Sequence, residues 1–224
     1  MNIVVLNAIP IFEQLQLEEA LLRAGTGNWA IVNTGSDPAI VMGISQKREA
    51  HTDIPQIRRF SGGGTVVVDH NTVFCTLIFD EGDFPCEKNH ASLMQWSSNF
   101  FAPIFVPYKL SLEEHDYVLD DKKIGGNAQS FACKRALHHT SFLWDWNPSL
   151  MAALSHPERQ PAYRRNRSHD EFCNRLSAYF STKETFLNAL VEHIQQIFSC
   201  QLVEYEEAKA VLHLPHRKVL TQAF

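Results

Sequence analysis

The 224-residue sequence predicts an α+β fold with a mixed, largely antiparallel sheet flanked by helices. Three observations predict it. Short β-branched runs are punctuated by Gly, Pro, Asn and Asp, as strands between tight turns are. Stretches with apolar residues at helical spacing stand apart from those runs instead of alternating with them. A hydrophobic content of 45% with 20% charged residues is ordinary for a chain that buries one sizeable core. No internal repeat, low-complexity tract or linker divides the chain, so residues 1–224 are expected to form a single domain.

Residues 2–7 read as the first strand. Pro10 opens a helix running to about Arg23, with Ile11, Leu15, Leu21 and Leu22 as anchors and Glu13, Glu18 and Glu19 as solvated positions. Gly25 and Gly27 mark its exit. Residues 29–32 and 39–43 read as strands around the turn Gly35-Ser36-Asp37-Pro38, hence a hairpin. Residues 65–68 form a β-branched run typical of a strand buried on both faces. Asp69-His70-Asn71 turns the chain into a strand at 73–79. Residues 89–101 place Leu93, Trp96 and Phe100 on one helical face. Tyr117-Val118-Leu119 precedes the turn Asp120-Asp121, and 136–144 form a further strand. A basic, Pro-containing loop spans 157–170 and holds Arg159, Arg164, Arg165 and Arg167. The last helix spans 182–198, with Phe186, Leu190, Ile194 and Ile197 on one face and Ser181 as N-cap.

The net charge of −5 argues against a dedicated nucleic-acid binder, which would carry a basic face. No run of about 18 apolar residues exists to span a membrane. The N-terminus lacks the basic start and apolar core of a signal peptide. Five scattered cysteines (Cys75, Cys86, Cys133, Cys173, Cys200) form no CxxC pair, which fits reduced thiols in a cytoplasmic protein and no permanently bound metal.

Two segments carry the chemistry. The first is Arg58-Arg59-Phe60-Ser61-Gly62-Gly63-Gly64-Thr65, the second Lys122-Lys123-Ile124-Gly125-Gly126-Asn127-Ala128-Gln129. Each sets cations beside glycines. Glycine lets backbone approach a ligand, and successive N–H groups in such turns form concave anion sites. A neighbouring Arg or Lys supplies full positive charge. Two such elements suggest one site closed from two sides around an anionic ligand. Neither matches a Walker loop or a GxGxxG fingerprint. On a strand Lys122 and Lys123 point to opposite faces, so one is a surface lysine while the other can face a pocket. A charged hairpin solvated throughout fits the local sequence equally. Asp116 reads either as a partner for a cation or as a turn cap. His138 and His139 alternate, so they cannot both ligate one metal.

Together these segments resemble the lipoate-protein ligase family of the biotin and lipoate ligase superfamily. The resemblance rests on Arg58-Arg59-x-Ser61-Gly62-Gly63-Gly64-x-Val66-x-x-Asp69, then Lys123-Ile124-x-Gly126-x-Ala128-Gln129, then His138-His139, in the family's order, and covers about residues 1–200. It implies the biotin/lipoate ligase catalytic-domain type of fold, in a short form without a C-terminal accessory domain. It also implies two steps. Lipoate is activated with Mg-ATP to lipoyl-adenylate. The lipoyl group then passes to a lysine of a lipoyl domain, as in 2-oxoacid dehydrogenase E2 subunits, or of glycine cleavage H-protein. Carried over by motif, Lys123 would be catalytic. Arg59, Ser61, Gly62, Gly63, Gly64, Asp69, Asp116, Gly126, Ala128 and His139 would bind the substrate or adenylate, with Asp116 also orienting Mg2+.

The sequence departs from the family pattern at Val68, at His70-Asn71-Thr72 and at Gly125-Gly126-Asn127. Three alternatives accompany the ligase reading. One is an octanoyl or lipoyl acyltransferase working through a thioester on Cys133 or Cys173. Another is a pocket protein that binds lipoyl carriers without turnover, and the third is biotin ligation. Arg164, Arg165 and Arg167 read either as a docking surface for an acidic acceptor domain or as a solvated loop.

Overall fold

The computed structural model describes residues 1–50, 52–132, 134–155, 160–216 and 219–224. The strands are β1 (Asn2–Leu6), β2 (Trp29–Asn33), β3 (Ala39–Met42), β4 (Gln56–Arg58), β5 (Val66–Val68), β6 (Thr72–Phe79), β7 (Ser111–Glu113), β8 (Asp116–Leu119), β9 (Lys122–Ala132), β10 (Arg135–Leu143), β11 (Gln201–Leu202) and β12 (Gln222–Ala223). The helices are α1 (Ile11–Ala24), α2 (His90–Phe101), α3 (Pro148–Met151), α4 (His169–Phe172), α5 (Lys183–Ile197) and α6 (Tyr205–Ala208). Eight strands form one sheet in the order β11-β1-β2-β6-β10-β9-β8-β7, and four form another in the order β12-β4-β3-β5. The pairs β1–β2, β1–β11 and β3–β4 are parallel and the rest antiparallel. This is the mixed, largely antiparallel α+β arrangement that the sequence predicts.

One face of the large sheet packs on α2 and α5. Phe79, Tyr117 and Phe142 meet Phe101, Phe186, Leu190 and Ile194 there. Burying a side chain of this size stabilises by about 1.5–3 kcal/mol each, enough to fix both helices on the sheet. The opposite face meets α1, whose Ile11, Leu15 and Leu22 pack with Ile31, Phe74 and Leu137, and with Val41 and Val68 of the small sheet. Helix α1 is therefore enclosed along most of its length. The site lies where the small sheet and β9–β10 of the large sheet approach beside its N-terminal end.

The predicted elements appear within a residue or two of their bounds, with four corrections. Strands β2 and β3 form no hairpin: β2 pairs with β1 and β6, while β3 joins the other sheet. The Gly35–Pro38 turn hands the chain between sheets. Glu18 and Glu19 are buried, not solvated, because α1 is covered on both sides. Each carboxylate is met by donors. Glu18 accepts from Gln14 Nε2 and Thr76 Oγ1, both at 2.7 Å, and Glu19 accepts from Arg23 Nε at 2.9 Å and from the backbone N–H groups of Leu220 and Thr221. Helix α5 is capped by Thr182, whose side chain accepts from Thr185 N, and not by Ser181. Ile197 is exposed at the helix end, where the core it was expected to join has ended. Among the described residues, no helix is long and apolar enough to cross a membrane.

Candidate functional site

The glycine loop leaves β4 and enters β5. Arg59 turns inward beneath it and is 5% exposed. Its Nε and Nη2 donate to the Gly62 carbonyl at 3.2 and 2.8 Å, Nη2 to the Gly64 carbonyl at 2.9 Å, and Nη1 to the Val41 carbonyl at 3.2 Å. Burial lowers its pKa to about 10, partly opposed by the Glu18 charge, so it is a cation at neutral pH. Its guanidinium shapes the loop from below. The three glycines divide the work. Gly63 has φ +102°, and a Cβ there would lie 2.7 Å from Arg59 Nη2. At Gly62 and Gly64 a Cβ would meet nothing within 4 Å. Gly63 thus satisfies the backbone, and Gly64 leaves room above it.

Opposite the loop runs the β8–β9 hairpin, closed by Asp120 and Asp121 with φ of 51° and 63°, the pair of left-handed residues that two-residue hairpins favour. The ladder then slips. Val118 is opposite Lys123 but Tyr117 is opposite Gly125, so one step on β8 spans two on β9. This β-bulge changes the facing of β9. Beyond it Gly126 and Ala128, opposite Ser141 and His139 of β10, face the site. The bulge brings Lys123 to the same side. Its Nζ lies 2.7 Å from Asp116 Oδ1, and Tyr163 Oη donates to Asp116 Oδ2 at 2.8 Å. Burial first, and then the Asp116 charge, push the Tyr163 hydroxyl well above its usual range, so it remains a donor. Asp116 opens β8, and its two carboxylate oxygens meet Lys123 and Tyr163, so it serves as a partner for a cation rather than as a turn cap. Among the described residues, Lys122 forms no ion pair of this kind and is half-buried at the hairpin end.

Two cavities meet here. The inner one, about 240 Å3, has an apolar wall of Ile11, Leu15, Val41, Val68 and Phe74. The outer one, about 660 Å3, is bordered by the 45–49 segment, with Lys47 and Arg48, and by Thr72, Arg164 and Cys173. Lys123, Gly64, Thr65, Val66, Gly126 and Ser141 line both. Lys123 therefore stands at the junction, opposite the glycine loop.

Arg59, Gly63, Asp116, Ala128 and His139 also line the inner cavity. Ser61, Gly62 and Asp69 line neither cavity. The Ser61 carbonyl accepts from Ile44 N at 3.0 Å, and the Gly62 carbonyl is turned to Arg59. Asp69 holds the β5–β6 turn, its Oδ1 accepting from Asn71 N at 2.8 Å. His139 Nδ1 sits 2.9 Å from Glu18 Oε1 and 3.0 Å from Thr76 Oγ1, so a buried carboxylate orients the ring that walls the inner cavity. His138 points to the opposite face, bonded to Tyr117 Oη at 2.9 Å. Burial holds its pKa down at about 3, so it is a neutral core residue.

Sequence reasoning missed four contributors: Glu18, Ser141, Tyr163 and Arg164. Alternation from His139 could have found Ser141. The twin acids in an otherwise apolar stretch of α1 were a signal for Glu18. Tyr163 and Arg164 had none, because long-range packing of the 160–172 segment brings them in. That segment is not a free basic loop. Arg164 is buried beneath the outer cavity with its guanidinium 4.9 Å from the Phe172 ring, and Arg167 donates to the carbonyls of Asp121 and Tyr163. Arg165 alone of these three projects into solvent, so the three arginines form neither a shared docking surface nor a loop solvated throughout. Arg159 and Cys133 lie outside the described residues. Cys173 borders the outer cavity and forms a parallel bridge with Lys123, and burial pushes its thiol up to about 11 despite the nearby ammonium. Among the described residues, no group of three or more His, Cys, Asp or Glu could hold a metal.

The family model described as "Lipoyl protein ligase A/B catalytic domain" matches residues 10–198. A Plasmodium falciparum protein named "Inactive lipoate--protein ligase 2" is 29% identical over an alignment spanning 84% of this chain and 67% of that protein. Two solved structures share the fold. A lipoate-protein ligase A bound with ATP has a TM-score of 0.75 at 17% identity, over 94% of this chain and 92% of that one. A bi-partite lipoate protein ligase from Thermoplasma acidophilum, studied with its E2 lipoyl domain, has a TM-score of 0.72 at 17% identity, over 94% of this chain and 89% of that one.

Proposed function

Because the chain belongs to the lipoyl protein ligase A/B catalytic-domain family, we propose that it is an ATP-dependent lipoate-protein ligase, with residues 1–224 acting as one catalytic unit. The observation that carries this reading is the position of the Lys123 ammonium, between an apolar cavity and a larger cavity bordered by cations. Such a junction suits a reaction joining an aliphatic carboxylate to a nucleotide.

In the first step a lipoate carboxylate oxygen attacks the α-phosphorus of ATP and pyrophosphate leaves, forming lipoyl-adenylate. The acyl chain lies along the Ile11, Leu15, Val41 and Phe74 wall, and the nucleotide takes the outer cavity. Mg2+ arrives with the triphosphate as part of the substrate. Asp116 is the carboxylate nearest the junction, and both of its oxygens already accept bonds from Lys123 and Tyr163, which suits it to hold the ammonium in place. In the second step the ε-amine of an acceptor lysine attacks the acyl carbon, AMP leaves, and the amide nitrogen loses a proton. Negative charge grows on the α-phosphate oxygens in the first step and on the acyl oxygen in the second. A pre-oriented cation stabilises both, since it pays no reorganisation at the moment of reaction. The acceptor is a lipoyl domain of the E2 type or an H-protein.

Incubating the protein with lipoate, Mg-ATP and a lipoyl domain should raise the acceptor's mass by one lipoyl group and release AMP and pyrophosphate. Lipoate-independent, ATP-independent transfer from an acylated carrier would instead support a second reading, acyl transfer through a Cys173 thioester. The observation favouring it is that Cys173 borders the same cavity beside Lys123. Binding of a lipoyl domain with no product under either condition would leave a carrier-binding protein without turnover, in line with the name of the Plasmodium relative.

A further inference from the structure

The segment 220–224 lies far from Lys123 in sequence, yet contacts the rim of the outer cavity. It is pinned at one end by Glu19, whose carboxylate accepts from Leu220 N at 2.9 Å, Thr221 N at 3.0 Å and Thr221 Oγ1 at 2.9 Å. It then runs as β12 along β4, with Gln222 opposite Arg58 and Ala223 opposite Ile57, and Phe224 N donates to the Gln56 carbonyl at 2.9 Å. The Phe224 ring is shared by two guanidinium groups, Arg48 at 4.8 Å and Arg58 at 5.4 Å from its centroid.

Arg48 belongs to the rim itself, and Arg58 braces the rim from behind. Arg58 Nη1 donates to the carbonyls of Ile44 at 3.1 Å and Gln46 at 2.8 Å, so its guanidinium ties the ring to the backbone of the 44–46 segment. Arg48 is exposed and borders the outer cavity together with Ser45, Gln46, Lys47 and Glu49. The same segment is coupled to the glycine loop, because Gly43 N donates to the Gly64 carbonyl at 3.3 Å and Ile44 N to the Ser61 carbonyl at 3.0 Å. An exposed arginine loses rotamer freedom when it engages a ligand, and an aromatic face that holds it beforehand lowers that cost.

We propose that Phe224 is a positioning residue. By stacking on Arg48 and Arg58 it holds the 44–49 rim, and the Arg48 charge with it, in place for the phosphates of the nucleotide in the outer cavity. This rests on the nucleotide reading of that cavity for its ligand, but the stacked geometry is independent of it. Phe224 touches no reacting atom and works through Arg48 and the 44–46 backbone. The consequence is selective: the inner cavity shares no residue of the 44–49 segment. Loss of the ring should weaken nucleotide binding while leaving lipoate binding unchanged.

The test uses the full chain with Phe224→Ala and Phe224→Tyr. Hydrogen exchange reads the Ile44, Gln46 and Glu49 amides, all of which are bonded in the structure. Calorimetry reads ATP and lipoate separately. The expected result is faster exchange confined to 43–49 in Phe224→Ala. ATP affinity should fall about two- to five-fold, the scale of one exposed cation–π contact, with lipoate affinity unchanged and both readouts restored in Phe224→Tyr. Unchanged exchange at 43–49, or faster exchange spread across both sheets, would overturn the positioning role. If the unsubstituted protein binds no ATP, the nucleotide reading of the outer cavity falls, and the exchange pattern still decides whether Phe224 holds the rim.

Discussion

Replacing Lys123 with Ala probes the junction most directly. The side chain is 21% exposed and its partner Asp116 13%, so the pair is only partly buried and stays within reach of solvent screening. Breaking a fully buried pair costs about 3–5 kcal/mol, so a figure of roughly 1–2 kcal/mol fits this exposure, and Tyr163 still satisfies one Asp116 oxygen. A chain of this size loses about 2–4 °C in Tm per kcal/mol, so the variant remains folded at 25 °C. The effect on chemistry is larger. Removing a pre-oriented donor from developing negative charge raises the barrier by about 3 kcal/mol, which is roughly 150-fold in rate. The assay is lipoate-dependent pyrophosphate release under saturating ATP, with circular dichroism checking the fold. Asp116→Asn should lose part of the same activity, and the Lys123→Ala, Asp116→Asn double variant little more than Lys123→Ala alone, because Asp116 acts through the ammonium. A Lys123→Ala rate within about threefold of the parent, or fully additive losses in the double variant, would refute the assignment.

Three further outcomes follow from the geometry. Gly43→Ala would place a Cβ 2.0 Å from the Gly63 carbonyl oxygen, so it should displace the glycine loop and destabilise by about 1–3 kcal/mol in urea unfolding, whereas Gly64→Ala, with nothing within 4 Å, should leave stability unchanged and weaken lipoate or ATP binding by calorimetry. Cys173, with its thiol pushed up to about 11, should be thiolate in only about one molecule in a thousand at pH 8, so its alkylation by iodoacetamide should rise about tenfold per pH unit up to that value, and a fast, pH-independent reaction would reject the environment described. His138, neutral in the core, has a folded pKa of about 3 against about 6.5 when unfolded, so the unfolded state binds more protons between those values. Stability is fully present above about pH 6.5 and is lost as pH falls toward 3, by an upper limit of about 4–5 kcal/mol, and thermal melts of His138→Gln should show a flatter slope across that window.

The sheet content, the three long helices and the pairing of the glycine loop with Lys123 were legible because each has a local signature: alternation, helical spacing, or a cation beside glycines. What stayed hidden is long-range. The polar side of α1 looked solvated because Glu13, Glu18 and Glu19 read alike, yet Glu13 is exposed while the other two meet donors from β6 and from the 220–221 segment. Local pattern cannot say that a second layer covers a helix. The Gly35–Pro38 turn shows the same limit, since turn chemistry says the chain bends but not which sheet receives it. The arginines of the 160–172 segment were expected to face solvent. Arg164 instead packs on Phe172 within its own segment, and Arg167 on the Asp121 turn some forty positions away, a contact that no local pattern announces.

The bulge in β9 explains why Lys123 and its two following glycines belong together. In an unbroken strand Lys123 and Gly125 share a face, and so do Gly126 and Ala128 on the other. Gly125 faces the aromatic core, where an added Cβ would meet the Phe142 ring at 3.3 Å. A regular ladder would therefore send the Lys123 ammonium among Phe142, Tyr117 and Phe101, where an unpaired charge costs several kcal/mol. Admitting one extra residue opposite β8 turns Lys123 back to the side of Gly126, where Asp116 meets it. Gly126 then has to stay small, because a Cβ there would sit 3.6 Å from Lys123 Nζ and 3.4 Å from Ser141 Oγ, narrowing the junction of the two cavities. The charge, the slip in register and the missing side chains are one device, and a change that restores the regular ladder removes the ammonium from the junction even with every residue type intact.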